Sequence, residues 1–232
     1  MKLIQRHGYI EFLRRNRERS IIKVVSGIRR CGKSTLFRLF KDELLAEGVK
    51  PEQIISINFE ELEYEPLREY HALYQYILNQ MQPNQMNYIF LDEIQHVDQF
   101  HRVVDSLFVK ENTDIYITGS NAYFMSSDIA TLLTGRYVEI QMLPLSFAEF
   151  YYSKYEEQQY SLIPAYEAYL RESSFPYTQQ LGGEDFDIQE YLRGLFNTLL
   201  LYDVVARLKI NDVMILQDIV RYIMANVGSL LS

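Results

Sequence analysis

The sequence predicts an α/β fold: a parallel sheet with helices on both faces, followed by a mostly helical lobe. Three observations predict it. Short apolar runs alternate with longer helical patterns up to about residue 145, five of the runs have strand length, and the pattern turns helical after Pro144. Short apolar strands separated by helices imply parallel pairing, because a parallel return needs a crossover where an antiparallel one needs only a turn.

Taken in order, Ile21 to Ser26 (IIKVVS) reads as a buried strand. A helix follows from Ser34 to Leu45, with Leu36, Phe37, Leu39, Phe40 and Leu44 at helical spacing. Ile54 to Phe59 is the second strand and Leu73 to Met81 the next helical stretch. Tyr88 to Leu91 (YIFL), Ile115 to Thr118 (IYIT) and Tyr137 to Met142 (YVEIQM) complete five strands. Right-handed crossovers place the helices on both faces. Beyond Pro144, helical patterns cover Phe147 to Tyr155, Ala165 to Leu170, Ile188 to Leu201 and Val213 to Met224, separated by turn material such as Ser173-Ser174-Phe175-Pro176 and Gly182-Gly183. The expected organisation is a basic N-terminal helix over 1–20, a core over 21–145, and over 146–232 a helical lid with the start of a C-terminal domain.

The composition excludes several classes. With 232 residues, 48% hydrophobic and 14% aromatic, the chain is too rich in core formers to be disordered. One cysteine cannot form an intramolecular disulfide. The apolar runs fall far short of the ~20 residues that span a bilayer, and the first residues lack an apolar signal stretch. The expectation is a soluble, cytoplasmic protein that contacts no membrane. Net charge is −8, unevenly spread: residues 1–50 hold 13 Lys+Arg against 5 Asp+Glu, and the remainder 10 against 26. An acidic whole argues against non-specific nucleic-acid binding by this chain alone. The basic N-terminal segment either serves in part the phosphate chemistry below or, in the run Arg14-Arg15-Asn16-Arg17-Glu18-Arg19, reads as a solvated basic helix.

Gly27-Ile28-Arg29-Arg30-Cys31-Gly32-Lys33-Ser34 matches G-x-x-x-x-G-K-[ST], the Walker A loop, entered by a buried strand and left by a helix. Gly27 and Gly32 let successive backbone N–H groups turn inward on phosphate oxygens, and the helix start presents its positive dipole end to the same anion. Lys33 reaches the β- and γ-phosphates, Ser34 ligates Mg²⁺, and Thr35 supports the adjacent phosphate. Arg29 and Arg30 face phosphate, a partner or solvent. Cys31 beside a helix start is either a loop filler or a thiol of lowered pKa.

The second half of the site is Tyr88-Ile89-Phe90-Leu91-Asp92-Glu93, a Walker B strand: Asp92 holds Mg²⁺ opposite Ser34, and Glu93 acts as general base on the attacking water. The third is Ile115-Tyr116-Ile117-Thr118-Gly119-Ser120-Asn121, which is either a strand closed by a turn-forming Gly-Ser-Asn cluster or, as resemblance to P-loop ATPases with a glutamate after Walker B implies, a strand inserted between the two Walker strands in the order 5-1-4-3-2. Its end places Asn121, or Ser120, as a sensor beside the γ-phosphate. Arg136, opening the fifth strand, is an arginine-finger candidate in cis or in trans, or a strand-edge ion-pair partner. Gln95 is a candidate relay of nucleotide state. His96 and His101, five apart, do not share a helix face, and no third metal ligand is near.

GIRRCGKSTL, YIFLDEIQ, DIYITGSNA and LLTGRYVEIQMLPLSFAEF together resemble the prokaryotic AAA-type ATPases that carry a C-terminal domain of unknown function, within the broader AAA+-like and STAND-like P-loop ATPases. The resemblance runs through nearly the whole chain, to Asn197–Val205. It implies a RecA/AAA-like three-layer P-loop core. It also implies ATP and Mg²⁺ as ligands, Lys33 and Ser34 as their contacts, Asp92 and Glu93 as the Walker B pair, Asn121 as sensor and Arg136 as the arginine after the sensor strand. The expected activity is Mg²⁺-dependent hydrolysis of ATP to ADP and phosphate, coupled to a conformational change of a C-terminal effector or partner, with a homo-oligomer as one arrangement. Two other readings stay open: a nucleotide-gated switch with little intrinsic hydrolysis, and a DNA-associated helper ATPase in defence or mobile-element biology. The family usually has a Gly-rich turn where this chain has Ser173-Ser174-Phe175-Pro176. Its members also run well past 232 residues, into a winged-helix-like segment and a nuclease-like fold, so this chain is expected to be a fragment, with any DNA contact made through that later region.

Overall fold

Runs rich in β-branched and aromatic residues become the strands, and alternate side chains on each go to opposite faces. The computed structural model describes residues 4–120, 133, 135–155, 160–181, 185–199, 205 and 213–228. Strands β1 (Ile22–Gly27), β2 (Ile54–Asn58), β3 (Asn87–Asp92), β4 (Thr113–Ser120) and β5 (Tyr137–Met142) form one sheet ordered β2-β3-β4-β1-β5. Every neighbouring pair is parallel. Traversed from the other edge this is the 5-1-4-3-2 order, with β4 inserted between the Walker strands, and the α/β class is the one predicted.

Helices α1 (His7–Asn16), α2 (Lys33–Ala46), α3 (Tyr70–Gln80) and α4 (Phe100–Phe108) cover the sheet. On one face, Ile22, Val24, Ile55, Ile57, Ile89, Leu91, Ile115 and Ile117 pack against Leu73 and Ile77 of α3 and Val103, Val104 and Leu107 of α4. On the other, Val25, Tyr88, Phe90 and Tyr116 meet Leu13 of α1 and Leu36, Phe37, Phe40 and Leu44 of α2. The register of each strand follows, since a slip by one residue would exchange the two sets. Phe90 stacks on Tyr116 at 4.7 Å between centroids, and Phe37 meets Phe90 edge-on at 5.2 Å. Each buried aromatic there is worth roughly 2 kcal/mol of transfer free energy.

The sequence reading assigns no element between Leu91 and Ile115, whereas the structure places α4 there. Its pattern is Phe100, Val103, Val104, Leu107, one turn-spaced face of a nine-residue helix. Helix α3 begins three residues earlier than the apolar pattern, because Glu69 caps it by accepting from the N–H groups of His71 (3.0 Å) and Ala72 (2.8 Å).

After β5 come α5 (Phe147–Tyr155), α6 (Leu162–Glu172) and a 3-10 turn over Pro176–Gln180. Leu145, Phe150 and Ala168 form their core, with Ile4, Tyr155 and Tyr169 packed on it. Residues Met1–Gly183 form one compact unit and Glu184–Ser232 a second, which contains α7 (Asp185–Thr198) and α8 (Val213–Ala225). Among the described residues no helix is long and apolar enough to cross a membrane.

Candidate nucleotide site

β1 ends at Gly27 and α2 begins at Lys33, so residues 28–32 form the phosphate loop at the C-terminal edge of the sheet. Both glycines are required by geometry. A Cβ on Gly27 would lie 2.4 Å from the Met142 carbonyl oxygen. Gly32 has φ +107°, in the left-handed region. The Lys33 N–H bonds the Cys31 sulfur, and Leu36 N–H donates to the Gly32 carbonyl as the first full turn of α2, so the N–H groups of Ser34 and Thr35 precede the helical ladder. They are available to an anion at the positive end of the helix dipole.

Three further anchors fix the loop. The Cys31 side chain is fully buried in the core, where burial pushes its thiol pKa up, so of the two sequence readings the structure favours the loop filler. Arg6, only 4% exposed, donates from Nη1 to the Cys31 carbonyl (3.2 Å), from Nη2 to the Leu143 carbonyl (2.8 Å) and from Nε to Glu149 Oε1 (2.6 Å). It thereby ties the N-terminal segment, the loop crest and the first turn of α5 together. Lys33 Nζ donates to the Gly27 carbonyl (3.1 Å) and the Ile28 carbonyl (3.3 Å) and pairs with Glu93 Oε1 (3.1 Å).

β3 carries Asp92 to the same edge, and Glu93 follows at φ +55°. The Asp92 carboxylate hydrogen-bonds the Ser34 hydroxyl and accepts from Thr118 Oγ1. Thr118 Oγ1 also accepts the Glu93 N–H at 2.9 Å. Thr118 is, with Arg6, a site residue that sequence reasoning missed. The available signal was register: Leu91 pairs with Ile117, so the next residue of β4 stands beside Asp92. Burial pushes the Asp92 carboxyl above its ordinary range, against the two hydroxyl bonds. Burial alone would raise Glu93 too, but the Lys33 charge and bonds from Gln95 and Lys33 bring it below its ordinary value.

The oxygen-only set of Ser34 and Asp92 fits a hard divalent cation such as Mg²⁺. The raised Asp92 carboxyl fits it as well, being a buried acid short of countercharge that such an ion would supply. A cleft of about 1340 Å³ opens beside the loop, lined by residues 29–35, Glu93, Met142 and Tyr152, and by Arg6 and His7 of the N-terminal segment. Pro176 closes against the loop, its Cγ 3.9 Å from the Cβ position of Gly32.

The structure thus brings Gly27, Ile28, Arg29, Arg30, Cys31, Gly32, Lys33, Ser34, Thr35, Asp92 and Glu93 to one edge. Arg29 pairs with Glu60 at 3.1 Å, and Arg30 takes φ +66°. Ser120 ends β4 beside Gly27, and Asn121 lies outside the described residues. Arg136 is not brought to the loop of its own chain. It precedes Tyr137, which pairs with Ile22 at the opposite end of β1, about 17 Å from Gly27 at ~3.3 Å per residue. There its exposed guanidinium lies 5.6 Å from the Phe108 ring centroid.

The chain is similar to several known proteins. An uncharacterized protein of Haemophilus influenzae is 37% identical over 233 residues, covering 99% of this chain and 58% of that protein. One of Methanocaldococcus jannaschii is 33% identical over 224 residues, covering 88% of this chain and 47% of that one. The chain therefore spans about half the length of the curated relatives it matches. A Walker-type ATPase of Pyrococcus abyssi shares the fold, with a TM-score of 0.57 at 17% identity over 85% of this chain and 73% of that one. The model of the AAA domain matches residues 19–151, from the strand that enters the phosphate loop to the first turn of α5, and the chain belongs to that family of AAA-type P-loop ATPases.

Proposed function

We propose that this chain binds ATP and hydrolyses it to ADP and phosphate with Mg²⁺, and that hydrolysis drives a conformational change in a C-terminal effector or partner. One observation carries the reading: Lys33, Ser34, Asp92 and Glu93, from two strands and one helix start, converge at the mouth of a cleft, with Lys33 Nζ 3.1 Å from Glu93 Oε1 and Ser34 bonded to Asp92. The N–H groups of the loop and of the start of α2 hold the β- and γ-phosphates, with Lys33 adding its charge. Ser34 and Asp92 would hold the Mg²⁺, which would neutralise phosphate charge when bound. Glu93 accepts the proton of the attacking water, and Ser120 or Asn121 orients that water. Arg6 is the covalent-free link from the loop crest to α5 through which occupancy reaches the helical layer.

Arg136, far from its own loop, has a place in this scheme only on a neighbouring subunit's phosphate. The test is ATP turnover with Mg²⁺ across a protein concentration series, with Lys33→Ala and Glu93→Gln as controls. Lys33→Ala abolishes nucleotide binding, and Glu93→Gln binds ATP without turning it over; unchanged turnover in Glu93→Gln overturns the base assignment. Turnover per chain that rises with concentration supports a homo-oligomer with Arg136 acting in trans. The Lys33–Glu93 pair favours one further reading, a nucleotide-gated switch, which tight ATP binding without turnover would establish. A DNA-associated role predicts that duplex DNA raises turnover only in a longer chain carrying the remainder found in the relatives.

A further inference from the structure

Lys33 and Glu93, assigned to phosphate and to water, hold each other in this structure. An ammonium has three protons, and Lys33 Nζ has three acceptors: the Gly27 carbonyl at 3.1 Å, the Ile28 carbonyl at 3.3 Å and Glu93 Oε1 at 3.1 Å. Glu93 in turn commits both oxygens, Oε1 to Lys33 and Oε2 to Gln95 Nε2 at 2.5 Å. Its backbone N–H is pinned to Thr118 Oγ1, so only the side chain is left to change partners. Gln95 stands on the single 3-10 turn Ile94–His96, and its buried Oε1 finds no donor among the described residues.

Resting on the ATPase reading, we infer that Gln95 is the positioning residue for Glu93, and that phosphate and Glu93 exchange on Lys33. Before phosphate arrives, Glu93 is shared between Lys33 and Gln95. When a γ-phosphate takes the ammonium, Glu93 cannot stay on it without setting two anions side by side, and Gln95 alone then holds the carboxylate. The same contact makes Glu93 an internal competitor for phosphate, so binding and arming of the base become one event. The free Oε1 of Gln95 can accept from the water that Glu93 is to activate.

The experiment is calorimetric binding of a non-hydrolysable ATP analogue without divalent cation, paired with steady-state turnover with Mg²⁺. Glu93→Gln should tighten analogue binding about tenfold, the scale of one charge-assisted hydrogen bond. Asp92→Asn removes a neighbouring carboxylate that bonds Ser34 and Thr118 rather than Lys33, and should tighten binding far less. Gln95→Ala should lower turnover at saturating ATP about tenfold while analogue affinity stays within about twofold, a split that a general loosening of the loop would not give. Equal tightening in Glu93→Gln and Asp92→Asn means simple repulsion and overturns the exchange. Unchanged turnover in Gln95→Ala, or a matching loss of affinity, overturns its positioning role. Failure of the unaltered protein to bind the analogue with Mg²⁺ added as well overturns the ATPase reading itself, and this inference with it.

Discussion

Asp114→Ala should cost the sheet unit about 4 kcal/mol. Asp114 is 1% exposed, at the edge of the sheet opposite the phosphate loop. It takes Lys23 Nζ on Oδ1, and on Oδ2 the Tyr116 hydroxyl at 2.6 Å and the Glu18 N–H at 2.9 Å. Truncation leaves all three donors without that acceptor, with Lys23 fully buried. Removing one partner of a buried pair costs roughly 3–5 kcal/mol, and an orphaned hydroxyl roughly 1–3 kcal/mol. The total stays below the sum because Lys23 keeps the Arg19 carbonyl at 3.0 Å and can shed its proton. Burial already draws the Lys23 pKa down, and Asp114 is the charge that opposes this. By contrast, Glu43→Ala breaks a pair whose side chains are 52% and 22% exposed, and should cost under about 1 kcal/mol.

The assay is urea unfolding followed by far-ultraviolet circular dichroism, since the chain has no tryptophan. Hydrogen exchange on β4 assigns the transition to the sheet unit, because two units need not unfold together. At roughly 2–4 °C per kcal/mol for a chain of this size, Tm should fall about 8–16 °C. The pH dependence has a definite sign. Without Asp114 the folded-state pKa of Lys23 drops further below its unfolded value, so between the two the unfolded chain binds more protons and stability rises with pH. The deficit should therefore shrink from pH 7 towards pH 10. The double variant Lys23→Met/Asp114→Leu should recover most of the loss. A cost below about 1 kcal/mol, or a deficit that grows with pH, would refute the reasoning.

Thr118→Val keeps the shape but removes the acceptor of the Glu93 N–H and a donor to Asp92; it should cost about 2 kcal/mol and slow turnover at least about tenfold, and unchanged turnover in steady-state assays would remove Thr118 from the site. Gly27→Ala drives a Cβ to 2.4 Å from the Met142 carbonyl oxygen, so the loop must shift and analogue affinity should fall at least about tenfold by calorimetry, with the stability of β4 little changed. Glu69 accepts two N–H bonds at the start of α3, which hold its carboxyl below its ordinary value. That cap is at full strength above the ordinary carboxylate range and lost as pH falls through the folded-state value, so exchange protection of Ala72 should decline there and Glu69→Gln should flatten the response.

What was legible in the sequence divides along a physical line. The phosphate loop was legible because its glycine spacing, lysine and flanking strand and helix are local, and local chemistry needs no knowledge of neighbours. The five strands were legible because each apolar run is short, and their order followed from the resemblance to P-loop ATPases rather than from the runs themselves. Thr118 was not, since its role exists only once β4 lies beside β3. Arg6 was not, since its three acceptors come from residues 31, 143 and 149. Helix α4 escaped notice because its nine residues give only five apolar positions, two of them β-branched. Arg136 was placed by chain order, after the sensor strand, but a parallel β5 starts at the edge away from the loop.

The uneven charge has a structural use that decides between the two readings of the basic N-terminal stretch. Of the 13 basic residues in positions 1–50, Arg6, Lys23, Arg29 and Lys33 pair with Glu149, Asp114, Glu60 and Glu93, all from the acidic remainder. Arg14 and Arg17 pair with Glu43 and Glu47 of α2 and its end. Six of the thirteen are thus used in stapling the start of the chain to the loop, to the sheet, to α2 and to α5. Binding of a 30-base-pair duplex by this chain, followed by fluorescence anisotropy at 0.15 M salt, should therefore not saturate below about 10 µM, tighter than the weak end of non-specific association. A submicromolar Kd, with a log–log salt slope steeper than about −3, would mean that at least about three phosphates are neutralised at once. The arginines of the first 50 residues would then have to leave their carboxylates, and the stapling account of the charge would be wrong.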